Sequence, residues 1–143
     1  MSQYVLRTCN SDMTAYGGFK WPKRGKVEAP DWNPSSRCGE GLHGLLWGQG
    51  DASLLDWRVL SKIWQIVRID GECVALGGKV KFQRGYVVFS GDKETALTLL
   101  AKKAEKAGVI SAIVFRAVTA GDCSTAMAGD YGIATAGYCG TAT

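Results

Sequence analysis

An α+β domain with a mixed, mostly antiparallel sheet and one principal helix is the fold that this sequence predicts, and three observations predict it. Short runs rich in β-branched and aromatic residues recur, with Ile63–Ile69 and Tyr86–Ser90 the strongest, and such runs are how strands read. Only one stretch, 92–107, carries apolar residues at helical spacing. The chain has 143 residues, 46% of them hydrophobic, which is enough for one domain with a real core. From Thr119 the composition changes to a period of eight. The prediction therefore divides the chain into a globular part, 1–118, and an octapeptide tail, 119–143.

In order, Tyr4–Thr8 has strand composition and contains Arg7. A polar stretch follows and ends Tyr16-Gly17-Gly18, a turn. In Phe19–Lys26 apolar and basic residues interleave. Lys20, Trp21, Lys23, Arg24 and Lys26 make a candidate surface for single-stranded nucleic acid, with rings for stacking and cations for phosphates. The plainer reading is a short edge strand and a loop. Pro30, Asn33 and Pro34 mark 28–37 as a loop. Trp32 within it either packs on the core or serves as a stacking platform.

Cys38–Asp51 holds five glycines and the only histidine, His43. Glycine loses more backbone entropy on folding than any other residue, so this density calls for tight turns or close backbone approach. The apolar Leu42, Leu45, Leu46 and Trp47 rule out a floppy linker, and the run reads as turn, short buried strand, turn. Ala52–Trp57 is predicted as one helical turn and Ile63–Ile69 as a strand. Cys73–Leu76 and Lys79–Phe82 are short strands, with Val80 and Phe82 on one face. Gln83-Arg84-Gly85 reads as a turn before the strand Tyr86–Ser90.

Ser90 or Asp92 caps the predicted helix, and Glu94 suits the positive end of its dipole. Leu97, Leu100, Ala101 and Ala104 form the apolar stripe, and Gly108 closes the last turn. Val109–Val118 returns as a strand. A strand, a helix and a strand fit a parallel crossover, and the rest reads as an antiparallel meander.

The tail aligns as Thr119–Ala126, Met127–Ala134 and Thr135–Ala142, with Gly121, Gly129 and Gly137 in phase. A fixed period with small residues is the signature of a stacked β-solenoid. Ala136–Thr143, Ala-Gly-Tyr-Cys-Gly-Thr-Ala-Thr, resembles the repeat of bacterial ice-nucleation proteins. That resemblance implies that two octads make one 16-residue coil and that Thr-x-Thr ladders order water. Thr141 and Thr143 complete such a pair, whereas the matching positions in earlier octads are Thr125/Met127 and Ile133/Thr135. Cys123 and Cys139, two octads apart, would then fall on the same corner of successive coils. Residues 1–118 resemble an uncharacterised domain that precedes such octads in bacterial and phage proteins.

The net charge is +4, and no block of like charge larger than 20–26 appears, so a broad footprint for duplex DNA is not expected. The five cysteines contain no Cys-x-x-Cys pair, and with one histidine they make no zinc spacing. No metal or other cofactor is expected. There is no apolar run of membrane length and no secretory leader, which predicts a cytoplasmic protein without a membrane partner.

These features point first to a non-enzymatic module that caps or nucleates the octapeptide solenoid. A protein partner, or self-association through the tail edge, goes with that reading. A second reading is an enzyme acting on a nucleotide ligand. Arg7 on a first strand, followed by a glycine-rich turn, resembles ADP-ribosyltransferases, although no Glu-x-Glu or Gln-x-Glu motif occurs. Its candidate catalytic residues are Arg7, His43 and Cys38, the last two as a Cys–His pair. A third is a phage-type protein that binds nucleic acid or a nucleoprotein through 20–26. For His43 itself the expectation is a structural ring bonded to backbone or to Glu40 or Asp51.

Overall fold

A computed structural model describes residues 2–109 and four short strands beyond them. Seven strands and one long helix make up the first part: β1 Gln3–Cys9, β2 Gly25–Glu28, β3 Leu42–Leu46, β4 Ile63–Ile69, β5 Cys73–Ala75, β6 Val80–Phe82, β7 Arg84–Gly91 and α1 Lys93–Lys106. The strands form one sheet in the order β2-β7-β4-β1-β3-β6-β5. Every pairing in it is antiparallel. The α+β class holds.

The predicted meander does not. Only β5 and β6 are both chain neighbours and sheet neighbours, and the N-terminal strand β1 sits at the centre. Its composition explains the place. Val5 and Leu6, on opposite faces of the strand, are both fully buried, so β1 needs cover on both sides. Gln83-Arg84-Gly85 is likewise not a free turn. Arg84 and Gly85 begin β7, where Gly85 pairs with Val27 on one side and Ile69 on the other. A Cβ on Gly85 would lie 2.3 Å from the Arg68 carbonyl oxygen, so the strands close there only on glycine.

The two faces of the sheet carry two cores. On one, α1 lays Ala96, Leu97, Leu100 and Ala104 over Leu6, Leu45, Trp64 and Ile66. Burying each leucine contributes roughly 1.5–3 kcal/mol. Asp92 caps the helix by accepting from the Thr95 N–H, as its position before Glu94 predicts. On the other face, Val5, Trp21, Val27, Leu42, Val67, Phe82 and Val87 pack under the loops 10–24 and 29–41.

The glycine-rich stretch contains the expected strand, β3. Gly44 lies so close to β1 that a Cβ would stand 2.9 Å from Val5. The short turn after β3 is a 3₁₀ turn, Ala52–Leu55, capped by Asp51.

Beyond 109, Ala117–Thr119 (β8) pairs in parallel with Ile133–Thr135 (β10), and Thr125–Ala126 (β9) pairs in parallel with Thr141–Ala142 (β11). The remainder of the predicted strand 109–118 is outside the described residues, and so are Gly121, Gly129, Gly137, Cys123 and Cys139. No helix among the described residues is long and apolar enough to cross a membrane.

Candidate functional site

The sheet has one gap, and it starts from strand pairing. β4 pairs with β1 along all seven residues of β1, but β3 pairs with it only at Val5 and Leu6. Leu42, His43 and Gly44 pair instead with β6. β1 and β3 therefore diverge, and a cleft of about 990 Å³ opens between them. Arg7 and Cys9 of β1 line it, with His43, Cys38, Lys79 and Trp21.

Arg7 forms the floor. It is 7% exposed, and its guanidinium carbon lies 3.5 Å from the centre of the Trp21 ring. Nη1 donates to Oε1 of Gln65, its cross-strand partner in β4. Nε is buried and has no acceptor. No carboxylate is ion-paired with Arg7 among the described residues; Lys62 pairs with Asp56 and Arg68 with Asp70. Burial pushes the guanidinium down to about 10, with the neighbouring Cys9 only partly offsetting it. The same burial raises the Cys9 thiol, so Cys9 supplies no standing negative charge.

Gln65 is fully buried and ties this floor to the loop above it. Its Nε2 donates to the Pro22 carbonyl and to Oγ of Ser90, and Ser90 in turn donates to the Lys23 carbonyl. Trp21 is thus held against Arg7 and is 3% exposed. That is a correction to the sequence-based surface. Lys20, Lys23, Arg24 and Lys26 are exposed, but the ring expected to stack beside them faces the core. Trp32 is half-buried and packs on the same core.

The opposite wall is the 35–41 loop. Lys81 is fully buried on β6, and its ammonium donates to the Arg37 carbonyl at 3.0 Å. It also donates to the Gly39 carbonyl and to Oγ of Ser35, both at 3.4 Å. Sequence reasoning missed it. The alternation Lys79-Val-Lys-Phe82 puts Lys81 opposite Val80 and Phe82, and only the folded loop covers that opposite face.

Cys38 and His43 share this wall without forming a nucleophile–base pair. Cys38 is exposed, and its Sγ accepts from Lys79 Nζ at 3.0 Å. That bond to a cation holds the thiol below its ordinary range. His43 uses Nε2 to accept from the Gly39 N–H at 3.2 Å. The backbone bond is the expected kind of partner, whereas Glu40 instead accepts from Asn33 and Asp51 caps the 3₁₀ turn. An accepting Nε2 carries no proton, so the neutral ring holds its proton on Nδ1.

Burial first, then the charges of Lys79 and Lys81, push His43 from 6.5 to about 4. The sign follows. The folded state prefers the neutral ring, while the unfolded ring takes a proton from about pH 6.5 downward. The His43 contribution to stability is therefore complete above pH 6.5 and declines as the pH falls toward 4. With one histidine in the chain, a single imidazole signal in a proton NMR titration reads this directly. Its midpoint is expected near 4, and a midpoint at or above 6 would rule out the Gly39 bond in solution. His43→Gln should flatten the stability slope across the same window.

Comparison with known proteins adds to this geometry. Residues 3–99 match DUF7666, a domain of unknown function. The ice nucleation protein InaU of Pantoea ananas is 36% identical over 99 residues, taking in 67% of this chain and 10% of the relative. An ice nucleation protein of Pseudomonas fluorescens is 36% identical over 105 residues, 71% of this chain and 9% of the relative. One from Xanthomonas campestris pv. translucens is 38% identical over 101 residues, 68% and 6%. The chain spans a tenth or less of the length of these relatives. The resemblance read from the octads is borne out, but a likeness of 99 residues far exceeds the tail and falls mostly on the globular part. No solved structure matches.

Proposed function

The chain belongs to the DUF7666 family, and from that premise we propose that its globular part is a non-enzymatic head domain. It caps or nucleates an octapeptide β-solenoid of the ice-nucleation type. The observation that carries this is a register. Ala117 pairs with Ile133, and Thr125 pairs with Thr141, both in parallel. Each offset equals two octads of the sequence repeat. A 16-residue coil stacked in phase has that offset by construction, since each residue pairs with its counterpart one coil on.

Repeat units bury little on their own and need a neighbour to cover each open face. A folded domain at one end supplies the first such cover. Edges of the stack expose unpaired backbone groups, and a second copy of the chain is the partner proposed for them.

The test compares chains ending at Val118 and at Thr143. Both are expected to unfold cooperatively, with midpoints within a few degrees, because the two cores lie in residues 4–109. If the shorter chain fails to unfold cooperatively, the tail is part of the core and the division at 118/119 is wrong. Capping is tested by adding about ten in-phase octads to the tail, with and without residues 1–118. A stable, monodisperse β-rich array is expected only with the domain. An array that folds equally well alone would overturn the proposal.

The enzyme reading keeps one observation in its favour, the common lining of Arg7, Cys38 and His43. Against it, the base nitrogen of His43 and the thiol of Cys38 are each committed elsewhere.

A further inference from the structure

We propose that the cleft between β1 and β3 is a binding site for a small organic oxyanion, a carboxylate or phosphate carried on a planar apolar group. Arg7 would supply the counter-charge. The inference is separate from the head-domain role and would stand if that role failed.

The argument begins with an incomplete pairing. A buried guanidinium is costly unless it is paired and hydrogen-bonded. Arg7 is buried, its Nε proton has no acceptor within hydrogen-bond distance, and no carboxylate is ion-paired with it among the described residues. The neutral Oε1 of Gln65, the face of Trp21 and the neighbouring Cys9 side chain are what the fold provides. A cation–π contact contributes roughly 0.5–2 kcal/mol, which is less than the cost of burying a charge. The fold nonetheless holds this arginine rigidly, through Gln65, Ser90 and the carbonyls of Pro22 and Lys23. Rigid placement of an under-satisfied charged side chain on a residue that lines a cleft fits a site whose acceptor arrives from outside.

Three cations and three carboxylates line the cleft, and Arg7 is the cation held at its floor. Lys62 and Lys79 line it with Arg7, and so do Asp31, Glu40 and Asp56. Asp56 is neutralised by Lys62 at 3.1 Å, and Glu40 bonds Asn33 outside the floor. Lys79 is bonded to a thiol, not to a carboxylate. His43 is neutral at pH 7 and adds neither sign.

The apolar half of the ligand is read from the lining. Tyr16, on the Tyr-Gly-Gly turn, and Leu54 both line the cleft and are both exposed. Phe19 and Trp21 stand edge to face on the same wall, 5.7 Å between ring centres. Exposed apolar side chains lining a cleft with a charged floor fit a ring whose acidic group points inward.

The experiment titrates the full chain with inorganic phosphate, benzoate and adenosine monophosphate in separate arms. Binding is read by tryptophan fluorescence and by the Arg7 Nε–H signal in a nitrogen-edited NMR spectrum. Saturable binding of one ring-bearing probe, with a dissociation constant below about 1 mM, is expected, and inorganic phosphate should bind at least tenfold more weakly. The stronger arm, benzoate or adenosine monophosphate, distinguishes carboxylate from phosphate. The Arg7 signal should move with the same midpoint as the fluorescence. Arg7→Lys should weaken binding at least tenfold, because it keeps the charge and loses the fork. Should that variant not fold, Tyr16→Ala is fully surface-exposed and should weaken the ring-bearing probe several-fold while leaving phosphate unchanged. No saturable response to any probe up to about 10 mM would overturn the proposal. A response that leaves the Arg7 signal in place would overturn it as well.

Discussion

Lys81→Ala is expected to cost ~3 kcal/mol of stability, a fall of roughly 10 °C in the melting midpoint. The reason is the double duty of this side chain. Its stem fills a fully buried position beside Phe82 and under Trp32, and its ammonium holds the 35–41 loop by the carbonyls of Arg37 and Gly39. Alanine removes both contributions. Lys81→Met separates them, since it restores most of the packing and none of the ties. Both variants should therefore show the loop cut by protease at least tenfold faster, while methionine recovers a large part of the midpoint. If the methionine variant protects the loop as the native chain does, the ammonium is not the anchor. Because the same loop carries Cys38 and the Gly39 N–H that His43 accepts, thiol labelling of Cys38 should speed up in both variants.

Gly50→Ala should be about as damaging, ~3 kcal/mol or more, by another route. Gly50 has φ +124°, a conformation that L residues rarely adopt, and a Cβ there would stand 2.3 Å from the Gly78 carbonyl oxygen. That carbonyl accepts from the Asp51 N–H at 2.9 Å, and Asp51 caps the turn Ala52–Leu55. Relief of the clash would break this junction between the end of β3 and the β5–β6 hairpin. Gly77→Ala is the comparison. Its φ is +92°, but nothing lies within 4 Å of the new methyl. It should show the conformational strain alone, ~1–2 kcal/mol. Equal losses in denaturant titrations of the two variants would mean that the Gly50–Gly78 contact opens freely.

Residues 1–109 and the cleft differ in how far the sequence alone reaches. Local rules sufficed for most elements. Ile63–Ile69 is a strand over the predicted bounds because its β-branched run has no competing period. The helix begins after Asp92 because a carboxylate oxygen there satisfies a free amide. The glycine density of 38–51 marked close approach, and Gly44 and Gly50 supply it. The period of eight in the tail is likewise a property of the string itself.

What the string did not determine is every fact that depends on which distant segment covers which face. Sheet order is one: only β5 and β6 pair through a short connection, and the central place of β1 depends on two layers packing against it at once. Trp21 is another, since its neighbours Lys20 and Lys23 read as surface, while Arg7 and Gln65 draw the ring inward from 14 and 44 residues away. Lys81 and the orphan Nε of Arg7 are the same kind of fact. A buried cation is legible only from the groups that bury it, and those lie on loops whose path hydrophobic periodicity does not encode. Local propensity and period act over a few residues and so can be read along the chain. Desolvation and pairing act through space, and only the tertiary structure decides them.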